Sequence, residues 1–203
     1  MRDHEHGHAP PDEKIHSYYQ FLSLAIQELL IQKGIVTPGE IRATIEQRDS
    51  ITPATGAKIV ARAWTDPLFK QRLLQDGSQA IGEFGLDMGT TKLAVVENNS
   101  AVHNVIVCTL CSCYPRNVLG LPPAWYKSRE YRARAVREPR AVLAEFGTYL
   151  PDSVEVRVHD STADMRYLVL PMRPAGTEHM SEEELAGIVT RDCMIGVSLP
   201  QAG

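Results

Sequence analysis

The chain has 203 residues, of which 43% are hydrophobic and 23% charged, and a formal net charge of −4. That length suits one domain of ordinary size with room for a helical extension, and the composition excludes a wholly disordered chain. The mildly acidic balance leaves no basic footprint for nucleic acid or anionic membranes, and no run approaches the ~18 apolar residues of a membrane span.

Taken in chain order, residues 1–13 carry His4, His6 and His8, two prolines and several acids without apolar periodicity. They predict a mobile tail, because nothing around the histidines fixes a coordination geometry. The opening residues also lack an apolar signal core, so the expected location is the cytoplasm. From Lys14 onward Ile15, Tyr18, Tyr19, Leu22, Ile26, Leu29 and Leu30 recur at helical spacing, and Gly34 provides a stop. A second helix is predicted from Thr37-Pro38, carrying Ile41 and Ile45 and ending near Asp49. Pro53 to Trp64 and Asp66 to Gln75 read as two more, the last closed by Asp76-Gly77. Residues 14–85 are thus expected to be mainly helical, suited either to embrace a partner or to close as an intramolecular bundle.

Beyond Gly89 the apolar period shifts toward two. Leu93 to Glu97 and Val102 to Cys108 are rich in valine and isoleucine and read as strands. Leu119 to Pro123 reads as a loop and Ala124 to Arg137 as one helix. Strands are predicted again at Val154 to His159 and Arg166 to Leu170, and Ser181-Glu182-Glu183-Glu184 forms a capping box for a helix running to about Arg191. The fold class expected is α/β, with residues 86–203 as a mixed domain.

Three of the four cysteines, Cys108, Cys111 and Cys113, fall in one short segment, and Cys193 stands far downstream. This is no disulfide framework; a metal site or a redox pair is the reading for such a cluster. Structural zinc usually takes four ligands, often from two separated C-x-x-C knuckles, and a second knuckle is missing here. The C-x-C end allows another geometry. If the peptide nitrogens of Ser112 and Cys113 lose their protons, they and the sulfurs of Cys111 and Cys113 form a planar claw on one ion. Cys108 then supplies an axial sulfur and one octahedral position stays open for chemistry. Such ligation demands a strongly Lewis-acidic trivalent ion, Co(III) or Fe(III). On spacing alone, zinc, a redox pair and a structural coincidence stay open.

The stretch Val107-Cys108-Thr109-Leu110-Cys111-Ser112-Cys113 resembles the signature of nitrile hydratase α subunits, with threonine at Thr109 as in the cobalt type. The resemblance extends to Gly56-Ala57-Lys58-Ile59-Val60-Ala61, Trp64-Thr65-Asp66-Pro67, Leu119-Gly120-Leu121-Pro122-Pro123-Ala124-Trp125-Tyr126, Arg166-Tyr167-Leu168-Val169-Leu170-Pro171 and Ile195-Gly196-Val197, covering roughly residues 14–199. It implies a layered α-β-β-α metal-binding domain, preceded by a helical arm that embraces a β subunit in an αβ or α2β2 assembly. It implies one Co(III) per chain, with Fe(III) the alternative, held by Cys108, Cys111, Ser112 and Cys113 and inserted by a maturation protein. It implies Cys111 as a sulfinate and Cys113 as a sulfenate, hydrogen-bonded by arginines of the β subunit. The implied reaction is hydration of a small nitrile to the amide, with Cys113 and Ser112 as catalytic candidates. The nucleophile is either hydroxide activated by the metal or the Cys113 sulfenate oxygen. Neither nucleic acid nor membrane is an expected partner.

Two positions depart from the family pattern. Arg116 and His159 stand where tryptophan is common. A cation near the metal would attract an anionic substrate, a feature of the related thiocyanate hydrolases, which makes Arg116 a substrate-pocket candidate; a surface or interface ion pair is its plainer role. His159 is expected to be a satisfied hydrogen-bonding residue, Cys193 a buried small hydrophobe, and Thr109 either a loop filler or a tuner of metal selection.

Overall fold

The computed structural model describes residues 18–111 and 113–202; the tail of residues 1–13 expected from the sequence lies outside the described residues. The chain divides into two units, residues 1–47 and 48–203. In the first, α1 spans Tyr18–Gln32. Several of its apolar residues, among them Tyr18, Tyr19, Leu22, Ile26 and Leu29, are exposed. Gly34 adopts a left-handed φ of +65°, which lets its amide and that of Ile35 close back on the carbonyls of Ile31 and Leu30. Helix α2, Pro38–Ser50, opens with a capping box. The Thr37 amide donates to the Glu40 carboxylate at 2.7 Å, and the Glu40 amide donates to the Thr37 hydroxyl at 3.2 Å.

The second unit begins with α3, Pro53–Thr65, then α4, Pro67–Gln75, and α5, Gly77–Ala80. Asp66 caps α4 and Asp76 caps α5, each accepting amide hydrogens of the following turn. The alanines and glycine of α3 let it lie close to its neighbours: a Cβ on Gly56 would collide with Leu119 and Met194. Strands β1, Lys92–Glu97, and β2, Val102–Val107, follow. Then come the short helices α6, Arg116–Leu119, and α7, Ala124–Lys127, followed by α8, Arg129–Arg137, and α9, Pro139–Glu145. Strands β3, Glu155–Asp160, and β4, Met165–Leu170, complete the β structure, and α10, Glu182–Gly187, and α11, Arg191–Ile195, close the chain.

The sheets are small. β1 pairs in parallel with β4, placing Leu93 opposite Arg166, and β2 pairs in parallel with β3, placing Val107 opposite Asp160. α4 and α5 pack on β1, β4 touches β2, and α8 and α9 pack on β2 and β3. The fold is thus the expected mixed α/β arrangement, with two thin sheets between helical layers and Ile106, Val107, Leu168, Val169 and Leu170 buried between them. Parallel pairing explains the order of elements, since each pair needs a long crossover that the intervening helices supply.

Two expectations are corrected, and one helix comes in addition to those expected. The helix read from Ala124 to Arg137 breaks at Ser128, which adopts an extended ψ of 144° while its hydroxyl accepts the Tyr131 amide hydrogen at 3.1 Å. A serine that offers its side chain to the backbone starts a helix more readily than it continues one. The helix from Ser181 ends at Gly187, and Thr190 caps the separate α11. Helix α9 had no counterpart in the sequence reading, because seven residues are too few to show a period.

Candidate metal centre

β2 is buried from His103 to Val107, and Cys108 continues it into the interior with 1% exposure. The chain then turns outward, so that Leu110 and Cys111 are exposed and Cys113 is half-buried. Because β2 and β3 run in parallel register, their carboxyl ends finish side by side, and the loop after β2 meets the last residue of β3. The carboxylate of Asp160 accepts hydrogen bonds from the Thr109 amide at 2.9 Å and hydroxyl at 2.5 Å. The Ser161 amide donates to the Val107 carbonyl at 2.7 Å. The cysteine loop thus starts from a clamped point at the carboxyl end of a sheet, where parallel α/β folds commonly place their sites.

The three sulfurs lie within 4.8 Å of one another. Cys108 Sγ is 3.3 Å from Cys111 Sγ, which is 3.1 Å from Cys113 Sγ. Two sulfurs bound to one ion at about 2.3 Å stand about 3.3 Å apart at a right angle and about 3.8 Å apart at the tetrahedral angle. The three sulfurs are thus close enough to share one ion. Burial pushes the Cys113 thiol up to about 12, with the hydrogen bond to Cys111 adding to the rise and the charge of Arg166 opposing it. A metal binding here displaces protons from sulfur. Ser112 lies outside the described residues.

Aromatic residues hold the loop from behind. The Tyr126 hydroxyl, on a fully buried side chain, donates to the Cys113 carbonyl at 2.9 Å. The Tyr131 hydroxyl donates to the Ile106 carbonyl at 2.7 Å, and the next residue, Arg132, donates through its guanidinium to the Cys111 carbonyl. Burial raises the pKa of Tyr114, Tyr126 and Tyr131, so these phenols stay protonated. Trp125 packs edge-on against Tyr131 at 4.8 Å and tilted against Phe146 at 4.7 Å, stiffening the wall.

The remaining sequence candidates fall in different places. Arg116 opens α6 and is exposed; it lines a small hollow with Arg48, Asp49, Ile51 and Asn117, to which no cysteine contributes. His159 is the satisfied hydrogen-bonding residue that was expected: its Nε2 lies 2.8 Å from Asn104 Oδ1 and its ring packs on Tyr167. Cys193 is buried, with its sulfur 3.1 Å from the Thr190 hydroxyl. Asp160, Tyr126, Tyr131 and Arg132 were not singled out from the sequence. The available signals were weak: an aspartate just beyond a predicted strand, a tyrosine closing the block from Leu119 to Tyr126, and a Tyr-Arg pair on a helix beside the motif.

A family model described as nitrile hydratase, alpha chain, matches residues 17–198. The chain belongs to the nitrile hydratase α-chain family. The low-molecular weight cobalt-containing nitrile hydratase subunit alpha of Rhodococcus rhodochrous is 56% identical over 179 residues, covering 87% of this chain and 86% of that protein. Among solved structures, a recombinant thiocyanate hydrolase with partially modified cobalt centres superposes with a TM-score of 0.84 at 42% identity, covering 93% of this chain and 92% of that one. A double mutant of the iron-type nitrile hydratase of Comamonas testosteroni Ni1 gives a TM-score of 0.81 at 44% identity, covering 95% and 93%. Within the nitrile hydratase α-chain family, then, this chain is similar to cobalt and iron proteins and to a thiocyanate hydrolase alike.

Proposed function

We propose that this chain is the α subunit of a cobalt nitrile hydratase, adding water across a nitrile C≡N bond to give the amide. The observation that carries the reading is the convergence of three cysteine sulfurs within 4.8 Å of one another in a loop clamped at the end of β2. The sulfurs of Cys108, Cys111 and Cys113 and the peptide nitrogens of Ser112 and Cys113 would hold one Co(III); thiolate and amide donors of this kind suit a trivalent ion better than zinc. When bound, it supplies Lewis-acid polarisation of nitrile or water. Asp160 and Thr109 fix the start of the loop, Tyr126 fixes its end, and the buried aromatic wall keeps water from its rear. Cys111 as sulfinate and Cys113 as sulfenate belong to this reading, and Cys113 and Ser112 are its catalytic candidates. Exposed apolar residues on α1, Leu22, Ile26 and Leu29 among them, support a β subunit as partner, embraced by the helices of residues 14–85 in an αβ or α2β2 assembly. A maturation protein would load the metal in the cytoplasm.

The test uses the complex co-expressed in cobalt-supplemented medium. Elemental analysis should find about one cobalt per chain, and intact mass should exceed the unmodified value by about 48 Da, for two oxygens on one cysteine and one on another. Zinc with unmodified cysteines would refute the reading. Arg116, exposed on α6 three positions after Cys113, favours a second reading, thiocyanate hydrolysis. Parallel assays with an aliphatic nitrile and with thiocyanate separate the two. If the cation recruits the anion, Arg116→Trp lowers thiocyanate turnover selectively; an unchanged substrate ratio rules that role out.

A further inference from the structure

Helix α8 grips the strand that feeds the cysteine loop and the loop itself through consecutive residues. Tyr131 binds the Ile106 carbonyl, two residues before Cys108, and Arg132 binds the Cys111 carbonyl inside the motif. The helix is fixed for this purpose: Ser128 caps it, and Trp125 packs on Tyr131. The charge of Arg132 is also unspent. Its neighbour Arg134 is neutralised by Glu130, Glu138 and Glu145, whereas Arg132 makes no ion pair among the described residues, and its buried Nε has no hydrogen-bond partner there.

The Cys111 carbonyl belongs to the peptide unit whose nitrogen is that of Ser112. Amide resonance ties the oxygen and nitrogen of one peptide unit together, so that charge on that nitrogen, were it to ligate the metal, would be shared by the oxygen. A cationic donor at that oxygen makes a charge-assisted hydrogen bond, which is shorter and stronger than a neutral one. The same cation offsets part of the negative charge of three sulfurs gathered within 4.8 Å. We propose that Arg132 is a positioning residue of the metal centre, holding the Cys111 carbonyl within the motif and setting a positive charge against the sulfur loop. The proposal rests on the cobalt reading above and adds a determinant supplied by this chain rather than by its partner.

The experiment compares the co-expressed complex of wild type, Arg132→Gln, Arg132→Lys and a control on the same helix, Arg137→Gln, whose native guanidinium, among the described residues, binds the Ala133 carbonyl alone. Cobalt per complex, the sulfur-to-cobalt charge-transfer absorption and the thermal melt are read for each. Arg132→Gln is expected to assemble and melt close to wild type while retaining at least fivefold less cobalt and losing the absorption in proportion. Arg132→Lys should recover at least half of the metal, and Arg137→Gln should match wild type. Wild-type cobalt and an unchanged band in Arg132→Gln would overturn the proposal, as would equal losses in Gln and Lys variants accompanied by a collapsed melt. A wild-type complex without cobalt would instead overturn the metal reading, and the proposal with it.

Discussion

The carboxylate of Asp160 holds Thr109 at two points, its amide at 2.9 Å and its hydroxyl at 2.5 Å, across the parallel register that sets Asp160 beside Val107. A side chain from one strand thereby fixes the first turn of the cysteine loop on the next. Both residues have solvent access, so the pair stabilises the fold by about 1 kcal/mol at most. Its effect should fall on the loop. Asp160→Ala is expected to lower the melting temperature by no more than about 2–4 °C yet speed cobalt loss to a chelator several-fold. Thr109→Val, which leaves the amide bond in place, should do half as much. Cobalt retention after timed chelator dialysis is the measurement, and equal retention in all three proteins would contradict the clamp.

The bond from Tyr126 to the Cys113 carbonyl lies in a fully buried setting. Tyr126→Phe keeps the ring packing with Tyr114 and Trp125 and leaves that carbonyl without this donor. The expected cost is about 1–2 kcal/mol, or roughly 3–6 °C in the thermal midpoint for a chain of this size. Differential scanning calorimetry checks it.

His103 is 3% exposed, its Nε2 is 2.7 Å from the Gly196 carbonyl and its Nδ1 is 3.1 Å from the side-chain nitrogen Nδ2 of Asn98. Burial holds its folded-state pKa below the ordinary 6.5, with the Gly196 carbonyl opposing the shift. Burial also lowers His159, helped by the charge of Arg157. Below pH 6.5 the unfolded chain therefore binds protons that the folded chain resists, and stability falls as pH drops through that window; above it the contribution is complete. Urea midpoints measured at pH 7.5 and 5.5 should decline toward acid, and His103→Gln should flatten part of that slope. A midpoint independent of pH over this range would count against the assignment.

Gly196 turns with φ +90°, and a Cβ there would collide with the Asn104 carbonyl oxygen. Gly147 has φ +78°, and a Cβ there would meet nothing within 4 Å. Both substitutions incur the left-handed penalty of about 1–2 kcal/mol, but only Gly196→Ala adds a backbone clash. Gly147→Ala should yield soluble protein with a modest drop in melting temperature, whereas Gly196→Ala should lose most soluble yield. Similar yields would show that the close approach of Gly196 to β2 is dispensable.

The sequence by itself determined the elements whose signals are local: the capped helices around Pro53 and Pro67, the valine-rich strands, and the C-x-x-C-x-C segment whose chemistry needs only neighbouring residues. Short segments were less legible, since Ser128 could be read as a helix interior until its hydroxyl was seen to cap α8. Only the tertiary structure decided what surrounds the sulfurs. Asp160 reaches Thr109 through strand register, and Tyr126, Tyr131 and Arg132 reach the loop through helix packing. Those contacts join residues up to 51 positions apart, and no periodicity or spacing encodes them, because register and packing are set by burial of the whole core rather than by any stretch of chain.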